Sequence, residues 1–129
     1  MGRRIAILVY SGEPACFVHA LIKIYDLHSR SNDAIMILEG PAVTNIQKYS
    51  QEGDLFYRFY DNIRRANLIT VCGDCAASQG VLEEAEKQKL HIIPNHPNSN
   101  HYSKMGFEVL RLVPRSCNFC ETWDTVGFP

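Results

Sequence analysis

The sequence predicts a single α/β domain, built as a three-layer α/β/α sandwich around a mostly parallel sheet of about five strands. Residues 5–10 and 34–38 are continuous apolar runs, which are typical of strands buried on both faces of a parallel sheet. Between them, apolar residues recur at helical spacing over residues 15–28. Strands therefore alternate with helices, as expected for parallel strands joined by helical crossovers.

Each remaining element follows from a local pattern. Pro14 stands at a favourable first helical position, directly after a turn at residues 11–14. Later apolar patterns predict the following elements in chain order: a short helix at 42–49, a helix at 55–67, a strand at 68–71 that ends at Cys72, a helix at 76–88 interrupted or bent at Gly80, a short strand or extended segment at 90–93, a helical turn at 101–105 and a last strand at 107–113.

Composition and charge exclude several classes of protein. The 129 residues, 46% of them apolar, suit one domain with one real core. The formal net charge is −1 and the charges are dispersed, so no basic patch for nucleic acid is expected. The apolar runs are too short to cross a bilayer, and no cleavage site follows the first one. We therefore expect a soluble, cytoplasmic protein without nucleic-acid or membrane partners.

Cysteine spacing is the strongest chemical signal in the chain. Four of the five cysteines form two C-x-x-C pairs, Cys72 with Cys75 and Cys117 with Cys120. In a cytosolic α/β protein this spacing indicates metal binding, redox chemistry or a reactive thiolate more often than a structural disulfide.

The pair Cys72/Cys75 lies where a parallel sheet binds ligands, just beyond the carboxyl end of a predicted strand. Backbone N–H groups at the start of the next helix favour thiolate over thiol. Gly73 is expected to supply a backbone conformation closed to most residues, and Asp74 to cap the helix. The charge of Asp74 would oppose thiolate formation.

Residues 68–81, with Cys72 followed eight positions later by Gly80, resemble the cysteine segment of the DsrE/DsrF-like family. The resemblance extends over roughly residues 5–112 and implies a flavodoxin-like sandwich that assembles into trimers or hexamers. It also implies a sulfur relay in which Cys72 carries sulfur as a persulfide between donor and acceptor proteins. The tail at residues 114–129, which carries Cys117 and Cys120, has no counterpart in the simplest family pattern.

Several functions remain open from the sequence. The first is the relay, with Cys72 as an exposed nucleophile of low pKa, Cys75 as its resolving partner and no cofactor. The second is a zinc or iron–sulfur site that uses all four C-x-x-C cysteines. A third hypothesis makes Cys72/Cys75 a redox dithiol, and a fourth is a ligand-binding or interaction subunit without chemistry.

The segment 54–66 is rich in aromatic residues at helical spacing. It carries more aromatic surface than one small sheet face needs, which predicts core packing together with an oligomer interface. We therefore expect a homo-oligomer with this segment at or near the contact between subunits.

Overall fold

The computed structural model describes residues 2–95, 97 and 99–112. Five strands form one sheet in the order β4-β3-β2-β1-β5, and every neighbouring pair is parallel. The strands are β1 (Arg4–Val9), β2 (Asp33–Leu38), β3 (Ile69–Cys72), β4 (His91–Ile93) and β5 (Glu108–Leu112). The predicted three-layer, parallel α/β architecture is confirmed.

Helices connect the strands, because each parallel crossover must return the chain to the same edge of the sheet. Their bounds are α1 (Pro14–Ser29), a 3-10 turn (Gly40–Thr44), α2 (Asn45–Tyr49), α3 (Tyr57–Arg65), α4 (Gly73–Ser78), α5 (Leu82–Lys87) and α6 (Ser99–Lys104). Pro14 is at the start of α1, as its sequence position predicted.

The interruption predicted at Gly80 within residues 76–88 is confirmed. Two helices, α4 and α5, occupy this stretch, and α4 already begins at Gly73. Gly80 separates them with a φ of +75°, a left-handed conformation that ends helices and that glycine adopts without steric cost. The Val81 N–H donates to the Ala76 carbonyl at 2.8 Å, which satisfies a carbonyl at the end of α4.

The core lies on both faces of the sheet. On one face, alternate residues of β1 such as Ile7 pack against α1 side chains that include Phe17 and Leu21. The rings of Phe17 and Tyr49 stack with their centroids 4.9 Å apart. On the other face, Leu8 lies beneath Tyr102 of α6. Burial on both faces explains why the strands read as continuous apolar runs.

The aromatic segment divides between core and surface. Tyr60 is fully buried and donates its hydroxyl to Gln88, whereas Phe56 and Phe59 are half-buried. Leu55, next to this segment, is 83% exposed. The predicted core role is thus confirmed for Tyr60, and the oligomer interface stays a prediction.

Among the described residues, no helix has the length and apolar character needed to span a bilayer. The tail at 114–129, with the second C-x-x-C pair Cys117 and Cys120, lies outside the described residues.

Candidate functional site

The turns after β1, β2 and β3 meet at the carboxyl edge of the sheet. The turn after β1 touches the turn after β2, where a Cβ atom on Gly12 would lie 3.0 Å from the Pro41 side chain. Helix α4, which follows β3, packs against the 3-10 turn that follows β2. Parallel strands place all their carboxyl ends at one edge, so residues far apart in sequence converge there.

Cys72 is the last residue of β3 and the N-cap of α4. Its Sγ accepts a hydrogen bond from the backbone N–H of Cys75 at 3.3 Å. The expectation that Asp74 caps this helix is therefore wrong, and Asp74 lies within the first turn instead. Cys72 caps the helix in place of Asp74 because its backbone is extended, with φ −70° and ψ 116°. In this conformation the side chain reaches the first N–H groups of the helix.

Gly73 matters for a different reason than its predicted backbone freedom. Its φ is not positive, so the conformation is open to other residues. A Cβ atom at this position would instead lie 2.8 Å from the carbonyl oxygen of Ile93, at the end of β4. Glycine is thus needed for close approach between α4 and β4, which no pattern local to residues 72–75 reveals.

Cys75 lies one helical turn after Cys72, and the two thiols contact each other. The thiol of Cys75 donates a hydrogen bond to Cys72, and the Gly40 N–H donates to the sulfur of Cys75. Burial, the hydrogen bond to Cys72 and the negative charge of Glu39 together raise the pKa of Cys75 to about 11, against a smaller lowering by the Gly40 N–H. At neutral pH, Cys75 is therefore a proton donor and the Cys72 sulfur an acceptor.

Both sulfurs lie beneath the surface of the chain. The exposed fraction is 0% for Cys72 and 4% for Cys75, so the expected exposure of Cys72 is wrong for this conformation. The turn at Gly40 lies against Cys75, because the Gly40 N–H donates to the Cys75 sulfur, and the ring of Tyr10 lies beside Gly40. Gly40 has a φ of +56°, and a Cβ atom there would lie only 2.5 Å from the Tyr10 ring. Tyr10 is 43% exposed, so it lies at the surface beside this turn.

Sequence reasoning missed a carboxylate and a guanidinium at the same edge. Glu39 directly follows β2 and is 7% exposed, and its Oε2 lies 3.4 Å from Nη1 of Arg111 on β5. Glu39 could have been found by the argument that singled out Cys72, because both stand at the carboxyl end of a buried strand. Arg111 gave no such signal, because its partner is 72 positions away.

The four-cysteine metal hypothesis requires Cys117 and Cys120, which lie outside the described residues. Within the described part of the chain, no three His, Cys, Asp or Glu side chains are grouped closely enough to hold a metal ion. Cys72 and Cys75 alone would supply two thiolates, fewer than the four ligands of a structural zinc site. A zinc or iron–sulfur site therefore stays a prediction that depends on the tail.

A separate apolar groove of about 540 Å³ runs along the outer side of α1. Its walls include Val18 and Ile22 of α1, together with Tyr49 and Phe56. Neither Cys72 nor Cys75 lines it. We place the candidate site at the thiols because chemistry needs convergent polar and nucleophilic groups, whereas the lining of this groove is mostly apolar, with His19 and Tyr49 as its polar side chains.

Comparison with known proteins identifies one relative. An uncharacterized protein of Archaeoglobus fulgidus is 30% identical over 60 residues, which cover 46% of this chain and 97% of the archaeal protein. No family model matches the sequence. No solved structure matches it either.

Proposed function

We propose that this chain, which belongs to the same family as the short Archaeoglobus fulgidus protein, carries sulfur as a persulfide on Cys72 in a sulfur relay. One observation supports the proposal most. The Cys72 sulfur stands at the carboxyl end of β3 and accepts hydrogen bonds from both the N–H and the thiol of Cys75. The resemblance of residues 68–81 to the DsrE/DsrF-like cysteine segment points to the same chemistry.

Sulfur transfer requires the Cys72 sulfur to carry a negative charge at two stages, before loading and after delivery. In loading, the Cys72 thiolate attacks the outer sulfur of a donor persulfide, the donor's S–S bond breaks, and the donor leaves as a thiolate. In delivery, an acceptor thiolate attacks the same outer sulfur, and Cys72 leaves as a thiolate. The two hydrogen bonds from Cys75 stabilise the charged sulfur before loading and after delivery.

Burial sets a condition on this proposal. Because Cys72 is fully buried, a donor reaches its sulfur only when a neighbouring segment moves, and we propose that this segment is the turn at Gly40 together with the adjacent ring of Tyr10. An exposed tyrosine ring can change rotamer far faster than a relay step requires. The same burial of Cys72 excludes water and unrelated thiols from a loaded persulfide.

The test is intact mass spectrometry on the reduced full chain after treatment with glutathione persulfide. We expect a gain of one sulfur atom per chain, mapped to Cys72 by peptide mass, and no gain in Cys72→Ser. Cys75→Ser is the matched control, which has a similar burial and should still gain sulfur. An unloaded wild type, or equal loading of Cys72→Ser, contradicts the proposal. Elemental analysis of the same sample tests the alternative, because bound zinc or iron would favour the four-cysteine site.

A second candidate function is thiol–disulfide exchange by the Cys72/Cys75 pair. The observation that favours it is the hydrogen bond between the two thiols at a helix start, where dithiol oxidoreductases hold their C-x-x-C pair. A redox titration that fails to form a disulfide between Cys72 and Cys75 would exclude this function.

A further inference from the structure

We infer that Cys75 discharges a persulfide on Cys72 when no acceptor takes the sulfur, releasing sulfide and leaving a Cys72–Cys75 disulfide. This inference rests on the proposed function, because it requires that Cys72 be loaded. It adds a second fate for the bound sulfur and a product that leaves the protein. The site would then deliver sulfur to a protein acceptor or, failing that, expel it as sulfide.

Geometry places the attacking group beside the sulfur to be attacked. The thiol of Cys75 is hydrogen-bonded to Cys72, and the backbone N–H of Cys75 lies 3.3 Å from the Cys72 Sγ. Loading adds the outer sulfur to Cys72, while the inner sulfur remains the Sγ that Cys75 already contacts. Cys75 is thus held within the chain next to an electrophile, an arrangement that greatly accelerates bond formation.

The step balances without an external oxidant. The Cys75 sulfur, as thiolate, attacks the inner sulfur of the Cys72 persulfide and forms the new S–S bond. The bond between inner and outer sulfur breaks, and its electron pair leaves with the outer sulfur as hydrosulfide. The proton lost by Cys75 is matched by the proton that the departing sulfur takes up, so the products are the disulfide and hydrogen sulfide. A dithiol reductant then restores both thiols.

The surroundings of Cys75 make this discharge slow at neutral pH. Its pKa is raised to about 11 by burial and, to a smaller extent, by two titratable neighbours, Cys72 of β3 and Glu39 at the end of β2. Only the thiolate attacks, so we expect the release rate to rise about tenfold per pH unit below that pKa. Slow release leaves time for an acceptor to collect the sulfur first.

The experiment compares the wild type with Cys75→Ser and Cys72→Ser after loading with glutathione persulfide and rapid removal of the donor. Sulfide in solution and the intact mass of the protein are followed together at two pH values. In the wild type, we expect sulfide equal to the sulfur lost and a final mass two hydrogens below the reduced chain. In Cys75→Ser, the persulfide should persist, with sulfide release at least about tenfold slower, since a serine hydroxyl is a poor nucleophile. Cys72→Ser measures the background from residual donor.

The outcomes separate this inference from the proposed function. A wild type that keeps its sulfur as long as Cys75→Ser refutes discharge by Cys75 while leaving the Cys72 carrier intact. Transfer of the extra sulfur onto Cys75, found by peptide mapping without sulfide, also refutes it, because the outer sulfur was then attacked. Failure of both proteins to load refutes the carrier itself.

Discussion

The turn at Gly40, which lies beside Cys75, allows a quantitative prediction. Gly40→Ala forces a non-glycine residue into a left-handed conformation, at a φ of +56°, and also places a Cβ atom 2.5 Å from the Tyr10 ring. The conformational part costs about 1–2 kcal/mol. The ring must also leave its present rotamer, which adds about 0.5–1.5 kcal/mol. The total loss in the free energy of unfolding should therefore lie at about 1.5–3.5 kcal/mol.

Gly80→Ala is the matched control for this substitution. Gly80 has a similar positive φ of +75°, but no atom lies within 4 Å of a Cβ built there. Gly80→Ala should thus show only the conformational cost of about 1–2 kcal/mol. The gain from reduced flexibility of the unfolded chain is common to both substitutions and cancels in the comparison.

A second background isolates the contact with the ring. In a Tyr10→Ala chain, Gly40→Ala meets no aromatic ring, so its cost should fall to that of Gly80→Ala. Urea unfolding followed by circular dichroism gives the change in unfolding free energy for each of the three glycine substitutions. The comparison holds if the dependence of that free energy on urea concentration is the same in all chains. The explanation fails if Gly40→Ala and Gly80→Ala differ by less than about 0.3 kcal/mol, or if the excess persists without Tyr10.

Further predictions concern the thiols, their charged neighbours and assembly. Cys72→Ser keeps an N-cap acceptor for the Cys75 N–H, whereas Cys72→Ala loses it and should cost about 1 kcal/mol more in thermal or urea unfolding; equal stability would contradict the capping role. Because the pKa of Cys75 is raised when folded, the folded chain holds that proton from the ordinary thiol pKa of 9.0 to about 11. Stability should therefore fall with rising pH over that window, and Cys75→Ala should fall less steeply. Glu39→Gln should lower the pKa of Cys75 and Arg111→Gln should raise it, as measured from the pH profile of Cys75 alkylation; shifts of the same sign would refute the electrostatic coupling. The homo-oligomer expected from the sequence predicts that Leu55→Asp, at a side chain 83% exposed, lowers the mass seen by light scattering; a wild type that is monomeric at micromolar concentration contradicts it.

The sequence alone determined the parallel α/β architecture and the location of the thiol pair. Continuous apolar runs at residues 5–10 and 34–38 predicted β1 and β2, and helical spacing predicted α1, with bounds that differ by at most one residue. The end of β3 at Cys72 was predicted as well. These features depend on the periodicity of apolar residues and on local steric preferences, both of which are set by residues close together in the sequence.

The tertiary structure decided the environment of those thiols. Full burial of Cys72, the contact of Gly73 with Ile93 and the ion pair of Glu39 with Arg111 all arise between strands and turns that are distant in sequence. Those turns meet only because the strand order β4-β3-β2-β1-β5 sets which carboxyl ends are neighbours. Strand order depends on how crossovers pack against the whole sheet, so no local pattern encodes which groups surround Cys72 and Cys75.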